Sequence, residues 1–261
     1  MRNIKITVEY DGTRFAGWQV QNSSPTTLRK SQKTIQEALE LALKKIFHTK
    51  TDTLVSGRTD AGVHAWAQVA NFKTDSRISL AQLPLALNAF LPDDIAVVAA
   101  EEEGADFHSR FCARSKVYRY LILNRPWRSA LLRNMVLHYQ LPLHVARMHR
   151  QAQALVGRHD FKAFCASGSR AQDTTRTISR IAVRKLRASS LAPGVKELIS
   201  IEIEADGFLY NMVRSIVGTL LLVGRGGLED GQLKSILLSK DRKKAGPTAP
   251  GKGLALVEVK Y

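Results

Sequence analysis

Apolar and polar residues alternate from Ile4 to Tyr10, "IKITVEY", the two-residue period of a half-buried strand, and the run stops at the turn signal Asp11-Gly12. The polar stretch "FAGWQVQNSSPTT" reads as a loop. The period then changes. Ile35, Leu39, Ala42, Leu43 and Ile46 fall at helical spacing, and Thr34 with Glu37 has the form of a capping box at the helix start. A short strand ends at Val55 and another runs from Ala65 to Phe72. "SLAQLPLALNAFLP" predicts a second helix that stops before Pro92, and "DIAVVAAEEE" predicts a returning strand.

The second half repeats the mixture. "VYRYLILN", Val117 to Asn124, is aromatic and β-branched enough to predict a strand. "HVARMHRQAQALVG" predicts a helix with Gly157 at its end. "RTISRIAVRKLR" and "VKELISIEIEA" predict two strands joined by the turn-rich "ASSLAPG". "FLYNMVRSIVGTLLLVG" is apolar nearly all round, which predicts a buried helix. "DGQLKSILLSK" predicts one more helix and "GLALVEVKY" a final strand. The simplest architecture is α+β, two lobes each with a mostly antiparallel sheet and helices on one face; an α/β parallel sheet is the rival that periodicity does not separate. The polar break "EEEGAD" places a boundary near residues 103–110, so that 1–105 and 106–261 form the lobes.

Composition narrows the function. The chain has 261 residues, 44% of them hydrophobic, which suits a globular protein with a sizeable core. No apolar run has the length of a membrane span, and the strand-like N-terminus does not read as a signal peptide. Cys112 and Cys165 are too few and too far apart for a disulfide framework, so a reducing cytoplasm is expected. Thirty-nine Lys and Arg against 23 Asp and Glu leave a formal charge of +16 spread along the chain. Such an excess points to a polyanionic partner, nucleic acid first, on a folded basic face rather than a basic tail.

Against that charge, one acid stands out. Asp60 sits in "SGRTDAGVHA" between Gly57 and Gly62, two residues after Arg58. The Gly57–Gly62 spacing is that of a phosphate-binding loop, but Val63 occupies the lysine position, so that reading fails. "VGRGG" follows a helix rather than a strand and is a helix terminus. The seven histidines show no HExxH pairing that would hold zinc. An aspartate at a turn commonly bonds its own backbone. At neutral pH it is also an ionised base or nucleophile, and a glycine-bounded turn holds it rigidly against a ligand. A carboxylate facing a polyanion costs affinity, so chemistry on the nucleic acid is its natural use.

"SGRTDAGVHA" resembles the catalytic loop of the TruA family of tRNA pseudouridine synthases. Four further segments resemble the family in the same order: "YDGTRFAGWQVQ" with "TIQEALELAL", then "DFHSRFCARSKVYRYLI", "GRHDFKAF" and "FLYNMVRSIVGTLLLVG". The resemblance implies two RRM-like lobes sharing one continuous, mostly antiparallel sheet with a cleft between them. It implies isomerisation of uridine to pseudouridine in the anticodon stem-loop of tRNA, at positions 38–40, by a homodimer with no cofactor. Asp60 corresponds to the essential aspartate, Arg58 to an arginine that draws out the target nucleotide, Tyr118 to a tyrosine that stacks on the uracil, and Arg214 to the basic partner of the carboxylate. Where many members read Met-Val-Arg-Asn this chain has Ser215, and the loop 21–34 looks longer than usual.

By residue pattern alone, Tyr118 is an ordinary sheet tyrosine, Arg58 a turn residue or phosphate contact, and Arg214 a helix arginine in need of a partner. His64, Trp66, Trp18 and Gln19 receive no chemical role. The carboxylate has three routes open to it: attack at C1′, attack at C6, or removal of a sugar proton. A non-catalytic RNA-binding or RNA-chaperone protein on the same scaffold would explain the charge equally well, but not the Arg58–Asp60 loop together with Tyr118 and Arg214.

Overall fold

The computed structural model describes residues 1–19, 33–168, 171–186 and 195–261; the loop 21–34, apart from its last two positions, and the turn "ASSLAPG" lie outside them. In chain order the described strands are β1 (Arg2–Tyr10), β2 (Leu54–Val55), β3 (His64–Thr74), β4 (Ile95–Glu103), β5 (Ser115–Asn124), β6 (Leu137–Tyr139), β7 (Gly157–Asp160), β8 (Thr175–Lys185), β9 (Leu198–Ala205) and β10 (Leu254–Lys260). The α-helices are α1 (Ile35–Phe47), α2 (Gln82–Asn88), α3 (Val145–Ala152), α4 (Met212–Gly224) and α5 (Gln232–Ser239). The fold is α+β, the simpler of the two architectures expected, and the chain divides into two compact units.

The first unit comprises Met1–Arg114 and Ala255–Tyr261. Its strands lie in the order β4-β1-β3-β10, with β2 on β3. β1 is antiparallel to both neighbours, and only β10 runs parallel to β3, with Ala255 opposite His64. Ile4, Ile6 and Val8 are fully buried on one face of β1, and α1 buries Ile35, Leu39, Ala42 and Leu43. Each such aliphatic side chain contributes about 1.5–3 kcal/mol of burial. The Thr34 hydroxyl caps α1 by accepting from the Glu37 amide at 3.2 Å.

On β1, Asn3 donates to the carbonyls of Gly104 and Phe107, both at 2.9 Å, and Asn71 on β3 accepts from the Ser109 amide at 2.9 Å. Lys5 pairs with Glu101 and Glu103 beneath the rings of Phe107 and Tyr261. These bonds tie residues 104–109 to the first unit. The division therefore falls at Arg114 rather than at 105, and the final strand returns to the first unit instead of closing the second.

The second unit spans Ser115–Leu254, with strands in the order β5-β9-β8-β7 and β6 parallel to β5. Glu202 on β9 faces Arg119 across the ladder and also meets Arg180 and Arg184 on β8, so a nearly buried acid is matched by three half-exposed arginines. α4 buries eleven of its thirteen residues, as its all-round apolar pattern requires.

Two predicted helices differ in detail, and two short strands were not predicted. α2 begins only at Gln82, which places Pro84 in its first turn, where a missing N–H costs no helical bond. α3 stops at Ala152 and tightens into a 3₁₀ turn at Gln153–Leu155, and Gly157, at φ +108°, opens β7 rather than ending the helix. β6 and β7 are three and four residues long, too short to show a period.

The middle of α4 touches another backbone. A Cβ on Gly218 would stand 1.7 Å from the Pro247 carbonyl oxygen. Helix propensity alone favours Gly218→Ala by about 1 kcal/mol. Overpacking against backbone opposes it, and such clashes cost about 1–3 kcal/mol or more. We expect a net loss of stability in denaturant unfolding; an unchanged or raised midpoint would show that residues 246–247 do not press on the helix.

Candidate active site

The loop carrying Asp60 joins β2 to β3, outside any ladder, so its peptide groups need partners from elsewhere. They come first from β1 and β3. Gln68 on β3, fully buried, accepts from the Ser56 hydroxyl at 2.7 Å and donates to the Gly57 carbonyl at 2.9 Å. Its amide also reaches the Tyr10 hydroxyl at 3.3 Å, and that hydroxyl is 2.8 Å from the hydroxyl of Thr59. The residue before Asp60 is thus fixed by the end of β1.

The other clamp comes from the segment after β1. The Trp18 amide donates to the Thr59 carbonyl at 3.0 Å, and the Gly62 amide approaches the Phe15 carbonyl at 3.4 Å. The Val63 amide closes the turn onto the Asp60 carbonyl at 3.1 Å. These backbones lie closer than a side chain permits. A Cβ on Gly12 would be 2.0 Å from the Val63 carbonyl oxygen, and one on Gly17 2.6 Å from that of Thr59. Gly17 and Gly62 also sit at φ +98° and +73°, which glycine adopts without strain. His64, almost fully buried, accepts the Gly12 amide at 3.1 Å and lies 3.1 Å from the Asp11 carboxylate. In this rigid turn Arg58 is exposed and Asp60 half-buried.

Tyr118 and Arg214 belong to the second unit. Tyr118, on β5, is 7% exposed and meets the Phe208 ring edge-on, with centroids 5.0 Å apart. Arg214 lies in the first turn of α4. Its Nε donates to the Ala249 carbonyl at 2.7 Å and its Nη1 to the Asn211 side-chain oxygen at 2.6 Å. The four candidates therefore divide two and two: Arg58 and Asp60 on one loop, Tyr118 and Arg214 on a strand and helix of the other unit.

The chain matches the family described as tRNA pseudouridine synthase over residues 6–112 and 151–261. It is 46% identical to tRNA pseudouridine synthase A of Thermoanaerobacter pseudethanolicus and 44% identical to that of Ruminiclostridium cellulolyticum, in each case over 100% of both chains. The chain belongs to the tRNA pseudouridine synthase family. Of solved structures, a Cbf5-Nop10-Gar1 complex aligns with 97% of this chain and 57% of that one at 12% identity, with a TM-score of 0.35, a likeness too low to carry weight.

A pseudouridine synthase is an isomerase, and its site needs groups held still more than groups of unusual reactivity. The holding residues were not foreseen. Tyr10, Thr59 and Gln68 meet only through the register of β1 on β3, which sets Val8 opposite Gln68 and Tyr10 opposite Ala65. Residues 245–250, "AGPTAP", did carry a signal, since two prolines and a glycine mark a stiff loop. Trp18, expected to be scaffold, is 1% exposed and acts on the loop through its backbone. The Ser215 hydroxyl is buried with no hydrogen-bond partner among the described residues, and Asn211 supplies a polar contact to Arg214.

Burial pushes the Tyr10 phenol up to about 12, with the bonds to Thr59 and Gln68 offsetting part of the rise. In the unfolded chain it titrates near 10, as an unperturbed tyrosine does. The folded protein therefore keeps this proton after the unfolded chain has lost it. The stabilisation is complete below about pH 10 and is lost as pH rises through about 12. The stability difference between the parent and Tyr10→Phe is expected to shrink by about 2 kcal/mol from pH 9 to pH 12 in urea unfolding. A pH-independent difference would refute the buried, protonated phenol.

Proposed function

We propose that this chain converts uridine to pseudouridine in tRNA, at positions 38–40 of the anticodon arm, with Asp60 as its catalytic residue. The reading rests on the clamped loop: Thr59 is held on its hydroxyl and its carbonyl, and Val63 closes back onto Asp60, so the carboxylate is presented from a turn that does not yield. The reaction breaks the N1–C1′ bond, rotates the uracil, joins C5 to C1′ and releases the C5 proton. It is redox-neutral, and an ionised carboxylate at neutral pH suits its opening step.

A stacked nucleotide is out of reach, so the target uridine flips out at a cost of a few kcal/mol. Stacking on Tyr118 returns about 1–3 kcal/mol. Its ring packs edge-on against Phe208, which limits its rotation. Arg58, exposed two residues from Asp60, takes the vacated space or the adjacent phosphate, and Arg214 corresponds by family resemblance to the basic partner of the carboxylate. The remaining binding energy comes from phosphate contacts made by a chain of formal net charge +16, which read RNA shape. The family resemblance implies a homodimer, and the two distant cysteines suit a reducing cytoplasm.

The test is tritium release from C5-labelled uridine in an unmodified tRNA transcript. Asp60→Asn is expected to abolish release while tRNA binding stays within a few-fold of the parent. Native turnover in that variant would remove Asp60 from the chemistry. If the parent protein binds tRNA yet releases no tritium, it is a binding protein and not an enzyme. Tyr118→Phe is expected to keep affinity and lower turnover; full turnover would leave the phenol only a stacking role.

A further inference from the structure

Residues 242–253 lie as a strap along the first half of α4, tied down where Arg214 leaves the helix. The tie at residue 249 runs both ways. The Ala249 amide donates to the Arg214 carbonyl at 3.0 Å, and the Arg214 Nε donates to the Ala249 carbonyl at 2.7 Å. On one side of Ala249, the Tyr120 hydroxyl donates to the Pro250 carbonyl at 2.8 Å. The Tyr120 ring fills the space beside Gly253, where a Cβ would stand 2.6 Å from the ring. On the other side, Arg242 donates to the Gly246 carbonyl and the Thr248 hydroxyl, each at 2.9 Å. Between them the Gly246 amide donates to the buried Thr219 hydroxyl at 2.9 Å. Pro247 and Pro250 have no N–H to give and stiffen the strap further.

From this geometry we propose that Tyr120 and Arg242 are positioning residues for the isomerisation: they fix the strap whose Ala249 carbonyl aims the Arg214 guanidinium. The inference rests on the reading of Arg214 as the partner of the catalytic carboxylate. A long side chain with four torsions has many ways to leave the first turn of a helix. A carbonyl locked at 2.7 Å from Nε selects one of them, provided the carbonyl itself does not move. Tyr120 ties the strap to β5 on one side of Ala249, Arg242 braces it from within on the other, and neither is among the groups assigned to substrate. Burial pushes the Tyr120 phenol above its ordinary range, the charge of Arg214 opposing this, so the hydroxyl stays a donor at working pH.

Single-turnover tritium release on the full chain separates this role from a merely structural one. Tyr120→Phe keeps the ring against Gly253 and removes only the bond to Pro250. We expect Tyr120→Phe and Arg242→Ala each to lower the rate at saturating tRNA roughly tenfold, since small misplacements of a reacting group carry penalties of that order and above. The KM should stay within about twofold. In an Arg214→Lys background, which lacks the Nε bond, the same changes should cost less than about twofold, because they act only through that bond. Equal losses in both backgrounds would overturn the positioning role. A raised KM at unchanged saturating rate would also overturn it, making these residues RNA contacts. Native activity in Arg214→Lys and Arg214→Ala alike would instead reject the reading of Arg214. Melting temperatures taken on every variant identify any loss of rate that is only loss of fold.

Discussion

A loop with no ladder of its own has to be built from contacts made by others, and that constraint governs the first unit. The chain leading into Asp60 is held by the Trp18 amide on the Thr59 carbonyl, the Tyr10 hydroxyl on the Thr59 hydroxyl and the Gln68 side-chain amide on the Gly57 carbonyl. None of these belongs to the loop. Each is delivered by β1, the segment after it or β3, so the sheet serves here as a jig for one turn. The glycines at 12 and 17 are required because the two backbones meet without room for a side chain. Loosening any one of these contacts leaves a buried polar group without a partner, which is costlier than the bond itself is favourable.

The second unit solves a related problem by related means. Arg214 emerges from a helix buried on nearly every side, and a strap stiffened by two prolines lies against that helix with glycine facing glycine at 218 and 246. Both devices use close backbone approach in place of additional side chains. Backbone atoms have no rotamers to lose, so a group bonded to a fixed carbonyl or amide is ordered at little further entropic cost. An enzyme that must hold a base while its glycosidic bond is broken and remade gains more from such rigidity than from a shifted pKa.

Electrostatics divides along similar lines. The excess of 16 positive charges suits a polyanion but is nearly silent about the fold. Inside the molecule, charges are matched locally: Lys5 with Glu101 and Glu103, and Glu202 with Arg119, Arg180 and Arg184. Glu202, nearly buried, would be costly alone. Arg58, exposed beside Asp60, stays available to a ligand.

Much of this was legible in the chain itself. The period of two in "IKITVEY" and of 3.6 in "TIQEALELALKKIF" marked β1 and α1, with the Thr34 cap, because such patterns arise from which side faces the core. The glycine-bounded Asp60 and the all-round apolar α4 were equally plain, since each depends on neighbours within a few positions. Only the tertiary structure decided what holds the candidates still. Tyr10 and Thr59 are 49 positions apart, and Tyr120 and Pro250 are 130 apart. It also decided that the last strand belongs with the first unit, through its parallel register on β3. Local periodicity records which face of an element is buried; it does not record which distant backbone will lie against that face, and here distant backbone is what holds the candidate residues.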